Sequence, residues 1–253
     1  MKIFITLLFA LAIISCSEAD GKQSQNENTI VAKAQQTKNP EIASNTAVVK
    51  NTTKKTSTEP GETYYEGIEY QKIPSPFAND APAGSVAVQN IFWYGCPHCY
   101  ALNPVMKAWK KPKYIKYSEM PAISPRGWAA ISAQAFFTAE VLGILDKVND
   151  KMFDEIHQLG NRKLLSDIPT IAKFFEQYGI DEKQFYSTWN SFSVDTKLKK
   201  AAQIFKRSGI DGVPSLIVAG KYVTSITLTG SGKRMLKVIE YLAQKELGKV
   251  KQD

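Results

Sequence analysis

Cysteine and histidine are scarce in this chain of 253 residues, which has three of the first and two of the second. That scarcity excludes a disulfide-dense scaffold. It also leaves a tetrahedral zinc site, which takes four Cys or His ligands, without a second pair to complete it. Long apolar runs are missing too. The best of them, the 12 residues Ile3 to Ile14, falls short of the roughly 20 that a membrane-spanning helix needs. Aromatic residues are absent from Ser17 to Pro60, and no internal repeat is visible. The formal net charge is +8, but the lysines are scattered instead of clustered. This reads as a solvated basic surface and not as a nucleic-acid face; weak attraction to anionic lipid is the lesser alternative.

What is present divides the chain. Lys2, the apolar run and then Ser15 and Cys16 have the layout of a secretory signal. The tetrapeptide "IISC" resembles the lipobox of bacterial lipoproteins, in which the cysteine is lipidated and becomes the mature N-terminus. The expectation is a signal peptide over 1–15 and a lipid anchor on Cys16, several acyl chains being needed for stable anchoring. Residues 16–60, rich in Thr, Asn, Gln, Ser and Lys, lack the apolar surface to offset chain entropy and read as a disordered tether with a reach of about 35–40 Å. One domain, 61–253, is long enough to bury a core of its own.

Within that domain Ser85 to Tyr94 ("SVAVQNIFWY") reads as a buried strand. Pro97 suits the first turn of a helix running to about Lys110, and Lys113 to Met120 reads as the next strand, giving a strand–helix–strand unit. A helical block follows. Ser124 and Pro125 start a helix with Trp128, Ser132, Ala135, Phe136, Ala139 and Leu142 on one face. Leu145, Val148, Met152 and Leu159 share a face of the next, and Asp167 and Asp181 open two more; Val194 to Phe205 continue the pattern to Gly209. "SLIVAG" and "YVTSI" (215–220 and 222–226) form a hairpin through Gly220 and Lys221, and Ser231 begins a last helix. The layout is an α/β sheet domain, about 61–122 and 210–250, with an all-helical insertion at about 123–209.

Two of the three cysteines stand in "FWYGCPHCY", as Cys96 and Cys99. Zinc lacks ligands, since His98 lies inside the pair and His157 inside a helix; a purely structural disulfide would close too short a loop to restrain the unfolded chain. A redox pair fits the physics. Cys96 sits exposed at a helix N-terminus, where unpaired N–H groups and the helix dipole favour a thiolate. Cys99, one turn on and buried, is placed to resolve a mixed disulfide, and His98 can stabilise the thiolate further. The bland alternative makes His98 a surface histidine.

The segment resembles the active-site segment of the DsbA family of bacterial disulfide oxidoreductases, whose Pro-His dipeptide stands here as Pro97-His98. The resemblance spans about Thr63 to Gly248 and implies a thioredoxin fold carrying a helical insertion. It also implies that Val213-Pro214, in "GVPSLIV", is a cis-proline loop facing the dithiol and holding substrate. Reduced exported proteins would be the substrates, a DsbB-like membrane quinone oxidoreductase the re-oxidant, and no cofactor or metal is implied. A monomer on the periplasmic side of a membrane is expected, with Ser17 favouring the outer over the inner membrane. Relatives often place an acid beneath the dithiol or one turn past it, where this chain has Asn90 and Asn103. Asn90→Asp or Asn103→Glu is therefore expected to speed resolution. The rivals are a reductase or isomerase of the same superfamily, and a lipid-anchored chaperone or binding module.

Overall fold

A computed structural model describes residues 62–123, 127 and 129–248. The signal segment, Cys16, the tether, and Ser124, Pro125 and Trp128 lie outside the described residues. Five strands form one mixed sheet: β1 (Gln71–Lys72), β2 (Val86–Phe92), β3 (Ile115–Pro121), β4 (Ser215–Val218) and β5 (Tyr222–Ser225). Their spatial order is β1-β5-β4-β2-β3. β2 and β3 run parallel, and the other neighbours are antiparallel. The parallel pair is joined by α1 (Pro97–Ala108), a helical crossover that a two-residue turn could not replace. β4 is buried at all four positions, as a central strand covered on both faces requires.

One face of the sheet packs on α1 and on the last helix, α8 (Gly232–Glu246). Val86, Val88 and Leu216 meet Leu102 and Met106 of α1 and Met235, Ile239 and Leu242 of α8 there. Between β3 and β4 the chain forms α2 (Ala130–Val141), α3 (Leu145–His157), a short 3-10 turn, α4 (Ile168–Glu176), α5 (Glu182–Trp189) and α6 (Phe192–Ser208). Their core is aromatic, with Phe136, Phe153, Phe175 and Phe185 buried in it, and it continues to Ile91, Phe92 and Tyr94 at the end of β2. Phe153 thus ties the helical block to the strand that leads into the cysteine pair, its ring centroid 4.8 Å from that of Tyr94.

Several boundaries differ from expectation for local reasons. The first helix of the block begins at Ala130, after Ala129 in a left-handed conformation (φ 72°), and not at Ser124. It is buried nearly all round, so no one-sided stripe marks it. Leu159 is 71 % exposed: α3 has ended at His157, and Gly160 (φ 71°) turns the chain away from the core face. β5 stops at Ser225 because the Ser225 hydroxyl accepts from the Leu228 N–H and caps a one-turn helix, α7 (Ile226–Thr229). α1 carries Pro104 in its interior, which leaves the Tyr100 carbonyl without its helical N–H partner. At the hairpin, Gly220 (φ 67°) is enforced from two sides. A Cβ there would sit 2.3 Å from the Phe77 carbonyl oxygen, and its backbone lies where side chains are disfavoured.

Candidate active site

The end of β2 delivers Trp93, Tyr94 and Gly95 to the start of α1, and Cys96 is the N-cap of that helix. Its sulfur takes the place of the usual cap oxygen, accepting from the Cys99 N–H at 3.4 Å. Pro97 occupies the first turn, where a missing N–H costs nothing, and that turn holds no acidic side chain to compete for the helix's positive end. Both cysteines are free thiols.

Their environments push the two thiols apart. The Cys96 thiol is lowered to about 6, first by a hydrogen bond from the Cys99 side chain, against burial, and then by the backbone N–H groups of Cys99 and His98 and the nearby His98 ring. The Cys99 thiol is pushed far above the ordinary range, first by burial and then by its hydrogen bond to Cys96. A low-pKa thiolate is at once a nucleophile available at neutral pH and a good leaving group. Cys96 is less open than a helix start suggests, at 7 % exposure, because the Val213 carbonyl covers its sulfur and accepts from it at 3.3 Å. Cys99 is 2 % exposed.

Val213 comes from the loop before β4, and the Val213–Pro214 peptide is cis. This loop and His98 border a groove of about 430 Å³ that runs along Gly212, Pro214 and Ser215 towards Leu228. Pro97 and His98 are exposed at its edge. Cys96, His98, Val213 and Pro214 therefore meet at one mouth, although Cys96 and Val213 are 117 positions apart. Asn90 and Asn103 lie elsewhere: Asn90 is buried on β2 and Asn103 half-buried on α1, facing a different cleft.

Three supporting residues were not placed at the site from the sequence, His157 having been weighed there only as a zinc ligand. Gly95 has the Trp93 indole where a side chain would go, 2.4 Å from an added Cβ. His157, at the last turn of α3, places its Nε2 2.8 Å from the Tyr94 carbonyl. A carbonyl only accepts, so Nε2 carries the proton in this contact. The Tyr100 ring stacks on His157 at 4.9 Å and 10° between planes, and the Tyr100 hydroxyl donates to Asp154 at 3.2 Å. The helical block thereby clamps both flanks of the cysteine pair. Only the two tyrosines flanking the motif, Tyr94 and Tyr100, could have hinted at this, because the partners are more than 50 positions away.

A mixed sheet with a βαβ unit, a thiol pair at the start of its helix and a facing proline loop define a thioredoxin-like thiol oxidoreductase. The comparisons with known proteins narrow the class. The family model described as a DSBA-like thioredoxin domain matches residues 115–242. The thiol:disulfide interchange protein DsbA of Pseudomonas aeruginosa is 35 % identical over 185 residues, covering 72 % of this chain and 86 % of that protein. The DsbA of Burkholderia cepacia is 35 % identical over 180 residues, covering 70 % and 84 %. The crystal structure of Pseudomonas aeruginosa DsbA superposes with a TM-score of 0.67 at 34 % identity, over 73 % of this chain and 95 % of that one. This chain belongs to the DsbA family and is a protein disulfide oxidoreductase with the thioredoxin fold.

Proposed function

We propose that the chain oxidises cysteine pairs of exported proteins through a Cys96–Cys99 disulfide. A substrate thiolate attacks the Cys96 sulfur, the less buried of the pair and the one in contact with Val213 at the groove. The Cys96–Cys99 bond breaks, Cys99 leaves with the electron pair and takes up a proton, and a mixed disulfide joins Cys96 to the substrate. The substrate's second thiolate then attacks its own sulfur in that bond. A substrate disulfide forms and Cys96 departs as a thiolate, so two electrons pass from substrate to the pair. The lowered Cys96 thiol carries this reading, because stabilising the departing thiolate stabilises the reduced protein and makes its disulfide the stronger oxidant.

Val213 and Pro214 hold the substrate segment along the groove, with the backbone of the loop as its edge, and Pro97 and His98 shape the thiolate site. Re-oxidation falls to a DsbB-like membrane quinone oxidoreductase. The chain works as a monomer on the periplasmic side of a bacterial membrane, anchored through lipid on Cys16 after removal of residues 1–15. Residues 16–60 form the tether, and the domain from 61 is split by its helical insertion at about 123–209. No helix among the described residues is long and apolar enough to cross a membrane.

A reduced, unfolded substrate protein tests the reaction. The oxidised protein should form its disulfides stoichiometrically, and Cys96→Ala should abolish this. Oxidation that survives Cys96→Ala would refute the assignment. For the anchor, labelled fatty acid should enter the full chain and be lost in Cys16→Ser; equal labelling of both would refute it.

A further inference from the structure

The Cys96 sulfur accepts from the Cys99 N–H at 3.4 Å, which requires it to stand over the first turn of α1. What leads into that position is a turn. The Cys96 N–H donates to the Trp93 carbonyl at 3.0 Å, so Tyr94 and Gly95 are the central residues of a β-turn. This bond does not fix the central peptide, made of the Tyr94 carbonyl and the Gly95 N–H. Type I and type II turns differ by a flip of that peptide, and type II needs a positive φ at the third residue, which glycine accepts readily. Gly95 lies outside the left-handed region here. The turn's own chemistry therefore leaves two forms open, and something else selects one.

α3 supplies the restraint. Asn149, Phe153 and His157 follow one another at intervals of four, on one face of that helix. All three reach Tyr94. Asn149 Oδ1 accepts from the Tyr94 hydroxyl at 2.6 Å, the Phe153 ring centroid lies 4.8 Å from that of Tyr94, and the His157 Nε2–H donates to the Tyr94 carbonyl at 2.8 Å. The first two hold the side chain; of the three, only His157 acts on the peptide that could flip. Its ring is itself held against the face of Tyr100 at 4.9 Å and 10°. The Tyr100 N–H donates to the Cys96 carbonyl at 3.1 Å. One imidazole thus meets the residue two before Cys96 and the residue that bonds the Cys96 carbonyl.

We propose that His157 is a positioning residue for the redox pair: its hydrogen bond to the Tyr94 carbonyl locks the turn from Trp93 to Cys96 in one form and so holds the Cys96 sulfur over the first N–H groups of α1. The assignment rests on the reaction proposed for Cys96. His157 acts through the backbone. Without its donor the turn samples both forms, Cys96 leaves its cap position part of the time, and the thiolate loses hydrogen bonding that favours it. The reduced protein, in which that thiolate exists, is weakened more than the oxidised one, in which the sulfur is bonded to Cys99. The disulfide then becomes the weaker oxidant. What counts is an N–H at this place, so an uncharged amide of similar reach serves as well as the imidazole.

Two variants of the full chain separate the donor from the ring. His157→Phe keeps a ring to stack on Tyr100 and has no donor, whereas His157→Gln keeps a donor and carries no charge. The Cys96 thiolate is followed by the absorbance difference at 240 nm between reduced and oxidised protein as pH rises. In His157→Phe its formation should become about tenfold less favourable, the weaker end of what one hydrogen bond to a charged group contributes, which moves the titration up by about one pH unit. The second reading is the equilibrium in which the oxidised protein and two glutathione thiols give the reduced protein and glutathione disulfide. At pH 7 its constant should fall about fivefold in His157→Phe. His157→Gln should return both readings to within about twofold of the unsubstituted protein. An unmoved titration and equilibrium in His157→Phe, even with both redox forms equally destabilised in urea, would overturn the assignment by leaving His157 a purely structural role. Failure of His157→Gln to restore them would overturn it too. Absence of a Cys96 titration or of a glutathione equilibrium in the unsubstituted protein would overturn the Cys96 reaction, and this assignment with it.

Discussion

The lowered Cys96 thiol makes the stability of the reduced protein depend on pH in a direction that can be fixed beforehand. Its value in the fold is about 6, against an ordinary 9.0. Between those values the unfolded chain holds a proton on Cys96 and the native state does not, so stability rises with pH. The contribution is complete above about pH 9 and is lost as pH falls through about 6. Three units at 1.36 kcal/mol each set a ceiling of about 4 kcal/mol, and solvent at the mouth of the groove reduces this to about 2 kcal/mol. The oxidised Cys96–Cys99 pair has no thiol to titrate. Urea unfolding of both redox forms from pH 5 to 9 should therefore show the reduced form gaining about 2 kcal/mol on the oxidised form, mostly between pH 6 and 9. Reduced Cys96→Ala should lose that gain. A gap between the redox forms that stays flat over this range, or one that persists in Cys96→Ala, would refute the thiolate argument.

Other substitutions probe the frame around the pair. Gly220→Ala drives a Cβ onto the Phe77 carbonyl oxygen at a positive φ, and should cost about 2–4 kcal/mol in denaturant unfolding. Phe153→Ala empties a buried position between the helical block and Tyr94; a loss of about 3–5 kcal/mol is expected, with reduced retention of the Tyr94 near-ultraviolet circular dichroism signal. Lys107→Ala breaks an exposed ion pair with Asp150, and its effect should stay below about 1 kcal/mol and shrink further in salt.

Residues that act through near neighbours were legible in the sequence. The strand into Cys96, Pro97 in the first turn and the second cysteine one turn on follow from spacing alone. So do the caps at Asp167, Asp181 and Ser231, whose side chains accept from the N–H three positions later. Long-range pairing was not legible. β1 is two exposed residues with no apolar alternation and exists because β5 offers it an edge. The approach of Val213 to Cys96 was reached only through family resemblance, since no local pattern spans 117 positions. His157 and Tyr100 show the same limit, because their stacking depends on how α3 crosses α1.

The central claim is that Cys96 and Cys99 form an oxidising redox couple, and its midpoint potential tests that most directly. Thioredoxin, whose reactive thiol titrates at about 7, has a potential of about −270 mV. One further unit of thiolate stabilisation at Cys96 is about 1.4 kcal/mol, or about 30 mV for two electrons, so the couple should lie above about −240 mV. Equilibration of the protein with glutathione buffers, followed by trapping of free thiols, gives the value. A midpoint more positive than that bound, abolished by Cys99→Ala, is the expected result. A midpoint at or below the thioredoxin value would contradict the account.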